Sequence, residues 1–223
     1  MRTSLVFSGT ESEMHHKIAS KYADRLMMSY YYCRDKGDIL EKRIAAKPSL
    51  QYWLDSGAHT LQKGGDNEVD WTLAQWEKYV ASYCEWLLQH ADSVYAAAEL
   101  DVGNMIPPDI VYGWRDKYFR PLEKQGLQII YVYHDWDGPQ MWESMCRTMR
   151  YIGISYGAVK NKSLGRRMTA ARRFRTRVHG FAITNYRSIR EGFLYTADST
   201  SWKSGEKYGQ WYLWTNKIGR AHV

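Results

Sequence analysis

The sequence predicts a single α/β domain that folds as a compact (β/α)8 TIM barrel. Three observations support this prediction. The chain has 223 residues, a length at which single barrels are common. Short apolar runs alternate regularly with longer amphipathic stretches. Several runs, among them Leu127–Tyr133, are apolar on both faces, as parallel strands between a core and covering helices must be. The same alternation also allows an open, doubly wound sheet.

Each apolar run of strand length supplies one predicted strand, and each amphipathic stretch supplies one predicted helix. The strands are predicted at 4–7, 26–32, 51–55, 94–101, 127–134, 151–155, 178–183 and 194–198. The helices are predicted at 11–24, 36–46, 72–91, 108–125, 139–149, 164–177 and 186–191. Asp70 or Thr72 is suited to cap the third helix, and Pro108 to the first turn of the fourth.

We expect one domain over residues 1–223, in which residues 199–223 form an aromatic-rich C-terminal flap. The glycine-rich segment Lys63–Asn67 is a candidate lid beside Asp55. Three widely spaced cysteines without a paired motif favour a reducing, cytoplasmic location, in a host cell if the chain is phage-encoded. The sequence contains no apolar run long enough to span a bilayer. A net charge of +7 suggests an anionic partner.

Three apolar runs end in an aspartate: Asp55, Asp101 and Asp198. Because barrel active sites lie at the C-terminal ends of the strands, closure of the barrel would bring these carboxylates together. One carboxylate can attack a sugar carbon while another transfers a proton, so Asp198 and Asp55 are the candidate catalytic pair. The alternative is that each aspartate only caps the following turn, since Asp-Ser-Gly and Asp-Ser-Thr are common turn sequences.

Four segments resemble the motifs of tRNA-guanine transglycosylases and occur in the order of that family. They are Leu54-Asp55-Ser56-Gly57-Ala58, Glu99-Leu100-Asp101, Gly153-Ile154-Ser155-Tyr156-Gly157 and Tyr195-Thr196-Ala197-Asp198-Ser199-Thr200-Ser201. The zinc module of the tRNA enzymes has no counterpart after Asp198, and His134-Asp135 replaces a base-reading glutamine. The chain therefore looks most like the zinc-free phage DNA-guanine transglycosylases of the DpdA type.

The resemblance implies an enzyme that replaces guanine in DNA with a 7-deazaguanine such as preQ0 and needs no cofactor and no metal. It implies Asp198 as the nucleophile and Asp55 as the general acid and base. It further implies base-binding residues in the same mouth: Asp101, Ser56, His134, Ser155, Tyr156 and Gly157. The target nucleotide would have to be flipped or single-stranded to reach them.

A basic tract without acidic residues supports a polynucleotide partner in this interpretation. The predicted DNA-binding residues are Arg166, Arg167, Arg172, Arg173, Arg175, Arg177, Trp202 and Lys203. The tract also fits a solvated helix face. Three other functions remain open at this stage: base exchange in tRNA, a noncatalytic nucleic-acid-binding barrel, and a glycoside hydrolase that acts on free sugars or nucleosides.

Overall fold

The computed structural model describes residues 3–36, 38–62, 67–103, 105–155, 157–160, 163–191 and 194–203. Eight parallel strands close into a barrel in sequential order, which confirms the predicted TIM barrel and excludes the open sheet. The strands are β1 (Ser4–Ser8), β2 (Arg25–Ser29), β3 (Gln51–Asp55), β4 (Val94–Ala98), β5 (Gln128–Tyr133), β6 (Tyr151–Ser155), β7 (Arg177–Phe181) and β8 (Thr196–Ser199).

Helices follow the strands and cover the outside of the barrel. They are α1 (Glu13–Tyr22), α2 (Tyr30–Cys33), α3 (Ile39–Ala46), α4 (Ala58–Leu61), α5 (Leu73–Gln89), α6 (Pro108–Trp114), α7 (Arg120–Lys124), α8 (Gly138–Thr148), α9 (Gly157–Lys160), α10 (Leu164–Arg173) and α11 (Tyr186–Glu191). A π-helical segment, Arg115–Phe119, joins α6 to α7. None of the helices in the described ranges is long and apolar enough to cross a membrane.

Two of the predicted helix starts are confirmed by their capping geometry. Thr72 forms a capping box with Gln75 at the start of α5, in which each side chain bonds the other residue's backbone N–H. Pro108 occupies the first position of α6, where its missing N–H costs no hydrogen bond.

Two predicted strands extend three residues beyond the C-terminal end of the observed ones. The run 26–32 ends as a strand at Ser29, and Tyr30 begins α2. Tyr30 packs against Tyr79, Tyr83 and Trp86 of α5, so its apolar character serves the outer core rather than the barrel. The run 94–101 ends at Ala98. A short apolar run has no period that separates strand from helix, and tertiary packing decides the boundary.

The core has two layers separated by the sheet. The inner layer, inside the barrel, is a cluster formed by Val6, Met27, Trp53, Ala96, Ile130 and Tyr151. The outer layer lies between the sheet and the helices and contains most of the other buried apolar side chains. Alternate residues of each strand therefore face the two layers, and the inward positions continue upward to the C-terminal end of each strand.

Candidate functional site

Strand register places several polar side chains at the C-terminal end of the barrel interior, which we call the mouth. Met27 pairs with Trp53, and both belong to the inner core. Ser29 and Asp55, two residues further along these strands, are also paired and therefore point inward, one layer above. On β1, Ser8 follows Val6 by the same spacing, and Asp198 of β8 pairs with Val6. The predicted convergence of Asp55 and Asp198 on one barrel interior is thus observed.

Asp198 is held by three hydrogen-bond donors. Its Oδ2 accepts a hydrogen bond from the Ser8 hydroxyl. Its Oδ1 accepts from the backbone N–H of Ala182 at 3.3 Å and lies 3.1 Å from Nε2 of His179. Ala182 has a positive φ of 55°, an uncommon backbone conformation for alanine that aims its N–H at the carboxylate. Asp198 is 8% exposed, so these donors replace most of its solvation.

Asp55 lies in a different electrostatic environment. Burial and the negative charge of Asp198 raise its pKa to about 6, and Asp101 and Glu11 act in the same direction. The hydrogen bond that Oδ2 accepts from the backbone N–H of Gly57, at 3.2 Å, opposes this shift only partly. Gly57 has φ of 80°, and a side chain there would collide with Tyr31 and Ser29. The turn that brings this N–H to Asp55 therefore requires glycine.

Asp101 and His134 form a pair beside the mouth rather than inside it. Nε2 of His134 lies 2.8 Å from Oδ1 of Asp101, and the imidazole stacks on the exposed ring of Trp136 at 4.1 Å. Burial lowers the pKa of His134, but the hydrogen bond and the charge of Asp101 outweigh it, and the net shift is upward. The pair lines a small cleft to which neither Asp55 nor Asp198 contributes.

Glu99, which directly follows β4, is neutralised by a basic partner. Its oxygens lie 2.7 and 2.6 Å from Nε and Nη2 of Arg115. The backbone N–H of Val132 donates a third bond at 2.6 Å. Glu99 is 1% exposed, so the ion pair belongs to the structural core.

The other predicted base-binding residues differ in placement, and Ser155, which pairs with Phe181 as Gly153 pairs with His179, occupies an inward position at the end of β6. Ser56 is completely buried, and its carbonyl accepts a hydrogen bond from Tyr79 of α5. Ser155 is exposed and bonds the N–H of Gly157 at 3.3 Å. Tyr156, most of the candidate lid and residues 204–223 of the flap lie outside the described residues.

The basic tract does not form one surface beside the mouth. Arg167 is buried and paired with Asp135 at 2.9 Å, so it does not lack an acidic partner. Helix α10 runs from the mouth back to the start of β7, because β6 and β7 are parallel. Arg172, Arg173, Arg175 and Arg177 therefore lie at the N-terminal end of the barrel, opposite Asp55 and Asp198. Only Arg166, in the first turn of α10, is an exposed arginine near the mouth end of this helix.

Trp202 and Lys203, which follow β8, form hydrogen bonds with the backbone at the end of β1. The indole N–H of Trp202 donates to the carbonyl of Ser8 at 2.8 Å, and Lys203 reaches the carbonyl of Gly9 at 3.3 Å. Trp202 also packs against Phe7 and His15. These contacts join the end of β8 to the end of β1.

Four site residues were not predicted from the sequence as functional: Ser8, Ser29, His179 and Thr196. A lone histidine within an apolar strand favours a satisfied core residue, and His179 is fully buried as expected. Its partner, however, is Asp198. The sequence signal that could have identified these residues is the alternation of inward and outward positions along each strand. Once the strand pairing is known, this alternation places His179 and Thr196 at inward positions.

No protein-family model and no curated protein sequence matches the chain. Similar solved structures include a mutant tryptophan synthase α-subunit from Pyrococcus furiosus, at a TM-score of 0.58 and 11% identity, covering 94% of this chain and 93% of that one. The α-subunit from Legionella pneumophila gives 0.55 and 13%, covering 88% and 79%. A putative fructose-1,6-bisphosphate aldolase from Coccidioides immitis gives 0.60 and 9%, covering 93% and 80%. At these identities the likeness shows the fold alone.

The comparisons contradict the predicted transglycosylase. The similar structures named above are tryptophan synthase α-subunits and an aldolase, which do not support DNA or tRNA base exchange or a noncatalytic nucleic-acid-binding barrel. The position of the basic tract adds a physical reason, because most of its arginines lie at the end of the barrel away from the carboxylates. The motif resemblance was misleading since an aspartate followed by small residues recurs wherever a barrel strand ends in a turn. The named neighbours are enzymes or enzyme subunits, and the fold is consistent with an enzyme.

Proposed function

We propose that this barrel is a glycoside hydrolase that acts on a small, uncharged glycoside with Asp55 and Asp198 as its catalytic pair. The observation that carries the proposal is the asymmetry between the two carboxyl groups. The pKa of Asp55 is raised to about 6 by burial and by the charge of Asp198. Asp198 is instead surrounded by three donors that stabilise a negative charge. Two carboxyl groups in such different environments are suited to different roles, one as an acid and one as an anion.

The sign of the local field supports cleavage at a sugar carbon. Asp198, Asp101 and Glu11 all raise the pKa of Asp55, so the potential at the mouth is negative. A negative potential stabilises the positive charge that develops at the anomeric carbon during glycosidic cleavage. It disfavours phosphorylated substrates and reactions that build negative charge on the substrate.

The hydrogen bonds of Asp198 support a different role for each of its two oxygens. Oδ1 accepts two hydrogen bonds, whereas Oδ2 accepts one, from Ser8, among the described residues. A carboxylate oxygen can accept two bonds, so Oδ2 keeps a lone pair for the substrate. In the first step, the Asp55 carboxyl protonates the leaving oxygen, the glycosidic bond breaks toward that oxygen, and Oδ2 bonds the anomeric carbon. In the second step, Asp55 takes a proton from water, the water oxygen attacks the same carbon, and the bond to Oδ2 breaks.

The test is hydrolysis of a panel of p-nitrophenyl glycosides by the purified chain, with Asp55→Asn, Asp198→Asn and the exposed control Asp92→Asn. We expect both site variants to lose about 10²–10⁴-fold in kcat and the control to keep full activity. Because Asp55 must be protonated to act as the acid, kcat/KM should fall as pH rises through about 6. Absence of hydrolysis across the panel, or an unchanged rate in either site variant, would refute the proposal.

A further inference from the structure

A hydrogen-bonded column runs from Asp198 into the barrel interior. Nε2 of His179 lies 3.1 Å from Oδ1 of Asp198, and Nδ1 of the same ring lies 2.7 Å from Oγ1 of Thr196. The hydroxyl of Tyr151 in turn contacts Oγ1 of Thr196. His179, Thr196 and Tyr151 are each at most 2% exposed. Four polar side chains therefore form one connected chain through the barrel interior, which we call the interior column.

The direction of the protons in the column follows from the donor inventory. The carboxylate of Asp198 only accepts, so Nε2 of His179 carries a proton. If Nδ1 were also protonated, it would donate to Oγ1 of Thr196, and the hydroxyl proton of either Thr196 or Tyr151 would then have no acceptor among the described residues. If Nδ1 is unprotonated, Thr196 donates to it and Tyr151 donates to Thr196. Only this arrangement gives every proton of the buried column a partner.

We propose that His179 is a positioning residue, which Thr196 and Tyr151 hold as the neutral Nε2–H tautomer to fix Oδ1 of Asp198 and present Oδ2 to the substrate. The proposal rests on the proposed function for the identity of the reaction, but the state of the ring does not. Each donor points toward the carboxylate, and aligned hydrogen bonds in a medium of low dielectric strengthen one another. The column thus orients Asp198 from below while Ser8 and Ala182 hold it from the sides.

Strand register explains why the column reaches only Asp198. His179 pairs with Thr196, and Gly153 pairs with His179, so the three strands β6, β7 and β8 meet at one level. Gly153 has no side chain at that level, and the ring of Phe181 lies where its Cβ would be. The edge of Phe181 also packs against His179 at 4.5 Å. These apolar contacts fix the ring plane of His179 and exclude water from its flanks.

The test is a measurement of the ring nitrogens of His179 by ¹⁵N NMR in the full chain at pH 7. We expect a single tautomer, protonated at Nε2 and unprotonated at Nδ1. Thr196→Val has nearly the same shape and lacks the hydroxyl, so in the variant Nε2 should stay protonated on Asp198 and the Nδ1 signal should move downfield as its hydrogen bond is lost. Thr148→Val, on the exposed face of α8, is the matched control and should leave the His179 signals unchanged.

Protonation of Nδ1 in the wild-type protein, or an unchanged Nδ1 signal in Thr196→Val, would overturn the proposal. If Thr196→Val fails to fold, the wild-type spectrum still decides, and Tyr151→Phe provides the second variant. With a glycoside that the wild type hydrolyses, Thr196→Val should lower kcat about 10- to 100-fold and change KM less than about twofold. If no glycoside is hydrolysed, the proposed function is refuted. The NMR measurement still tests the proposed state of the His179 ring, because it does not depend on hydrolysis.

Discussion

The two ends of the barrel differ in how their polar side chains are paired. At the N-terminal end, Arg177 bonds Gln128 at 2.6 Å and lies over the ring of Tyr195 at 4.6 Å. Gln128 bonds the carbonyl of Tyr95, and the hydroxyls of Tyr95 and Tyr195 lie 3.2 Å apart. These side chains hydrogen-bond and pack against one another. Among the described residues, their network does not neutralise a charged group outside it.

At the mouth, by contrast, like charges are brought together. Asp55 lies in the negative field of Asp198, Asp101 and Glu11. The hydroxyls of Ser29 and Ser56 are buried without a hydrogen-bond partner in the described part of the chain. Carboxylates held close together lower the free energy of unfolding. Destabilising arrangements of this kind cluster at functional sites. In parallel barrels the N-terminal face commonly serves stability and the C-terminal face chemistry, and these two ends follow that division.

The largest expected effect concerns Glu99. This carboxylate lies near the mouth but has a bonded partner, as the polar groups at the N-terminal end do. Arg115→Met removes its partner and leaves a buried charge, so we expect the free energy of unfolding to fall by about 3–5 kcal/mol. Chemical denaturation at pH 7 measures the change. Arg147→Met, which breaks the exposed pair with Glu143, is the matched control and should cost at most about 1 kcal/mol. Equal losses in the two variants would show that the Glu99 pair is no more structural than a surface pair.

Asp55→Asn should act in the opposite direction and increase stability at high pH. The pKa of Asp55 is about 6 in the folded protein, against an ordinary value of 3.8 for an aspartate. The folded state therefore binds more protons between these pH values, and its stability falls as pH rises from about 4 to about 6. Above that range, removal of the charge should raise the free energy of unfolding by roughly 1–3 kcal/mol.

Denaturation of Asp55→Asn and wild type at pH 8 and pH 4 measures this difference. The gain should be present at pH 8 and largely absent at pH 4. The exposed control Asp92→Asn should change the free energy of unfolding by less than about 0.5 kcal/mol at both. A variant that is destabilised at pH 8 would show that Asp55 contributes to the fold and is not under strain from its neighbours.

The contrast between the ends also explains what the sequence could predict. Apolar runs determine where strands lie and where they deliver the following residue, so the barrel and the meeting of Asp55 with Asp198 were predictable. The extent of 26–32 as a strand was not, because the packing of Tyr30 on Tyr79 decides it. The buried pair of Glu99 with Arg115 joins residues on separate elements, and neither position carries a local signal.

Charge in the sequence was the least reliable guide to function. A run of basic residues is contiguous along the chain, but α10 carries it from one end of the barrel to the other. Arg167 faces Asp135, whereas Arg177 reaches Gln128 at the N-terminal end. Partners of this kind become visible only when the fold has placed distant residues side by side, and the predicted phosphate contacts of the basic tract assumed that its arginines lacked acidic partners.

A smaller effect is expected for Tyr195→Phe, which removes one hydroxyl from the network at the N-terminal end. The bond to the hydroxyl of Tyr95 is lost, so the free energy of unfolding should fall by about 0.5–1.5 kcal/mol. The kcat of the variant should equal that of the wild type, since this network has no contact with Asp198 among the described residues. Tyr151→Phe removes the same group from the interior column and is the informative counterpart. A drop in kcat for Tyr195→Phe equal to that for Tyr151→Phe would erase the proposed division between the two ends.

The smallest effect is expected at Ala182, whose strained backbone supplies one donor to Asp198. At φ of 55° an alanine is disfavoured and a glycine is not. In Ala182→Gly the relief of strain offsets the added chain entropy of the unfolded state, so the free energy of unfolding should change by less than about 0.5 kcal/mol. Ala81→Gly, within α5, is the control and should cost about 0.5–1 kcal/mol, because glycine is unfavourable inside a helix. A loss in Ala182→Gly as large as in the control would mean that the backbone at the mouth is not strained, and that the N–H reaches Asp198 without cost.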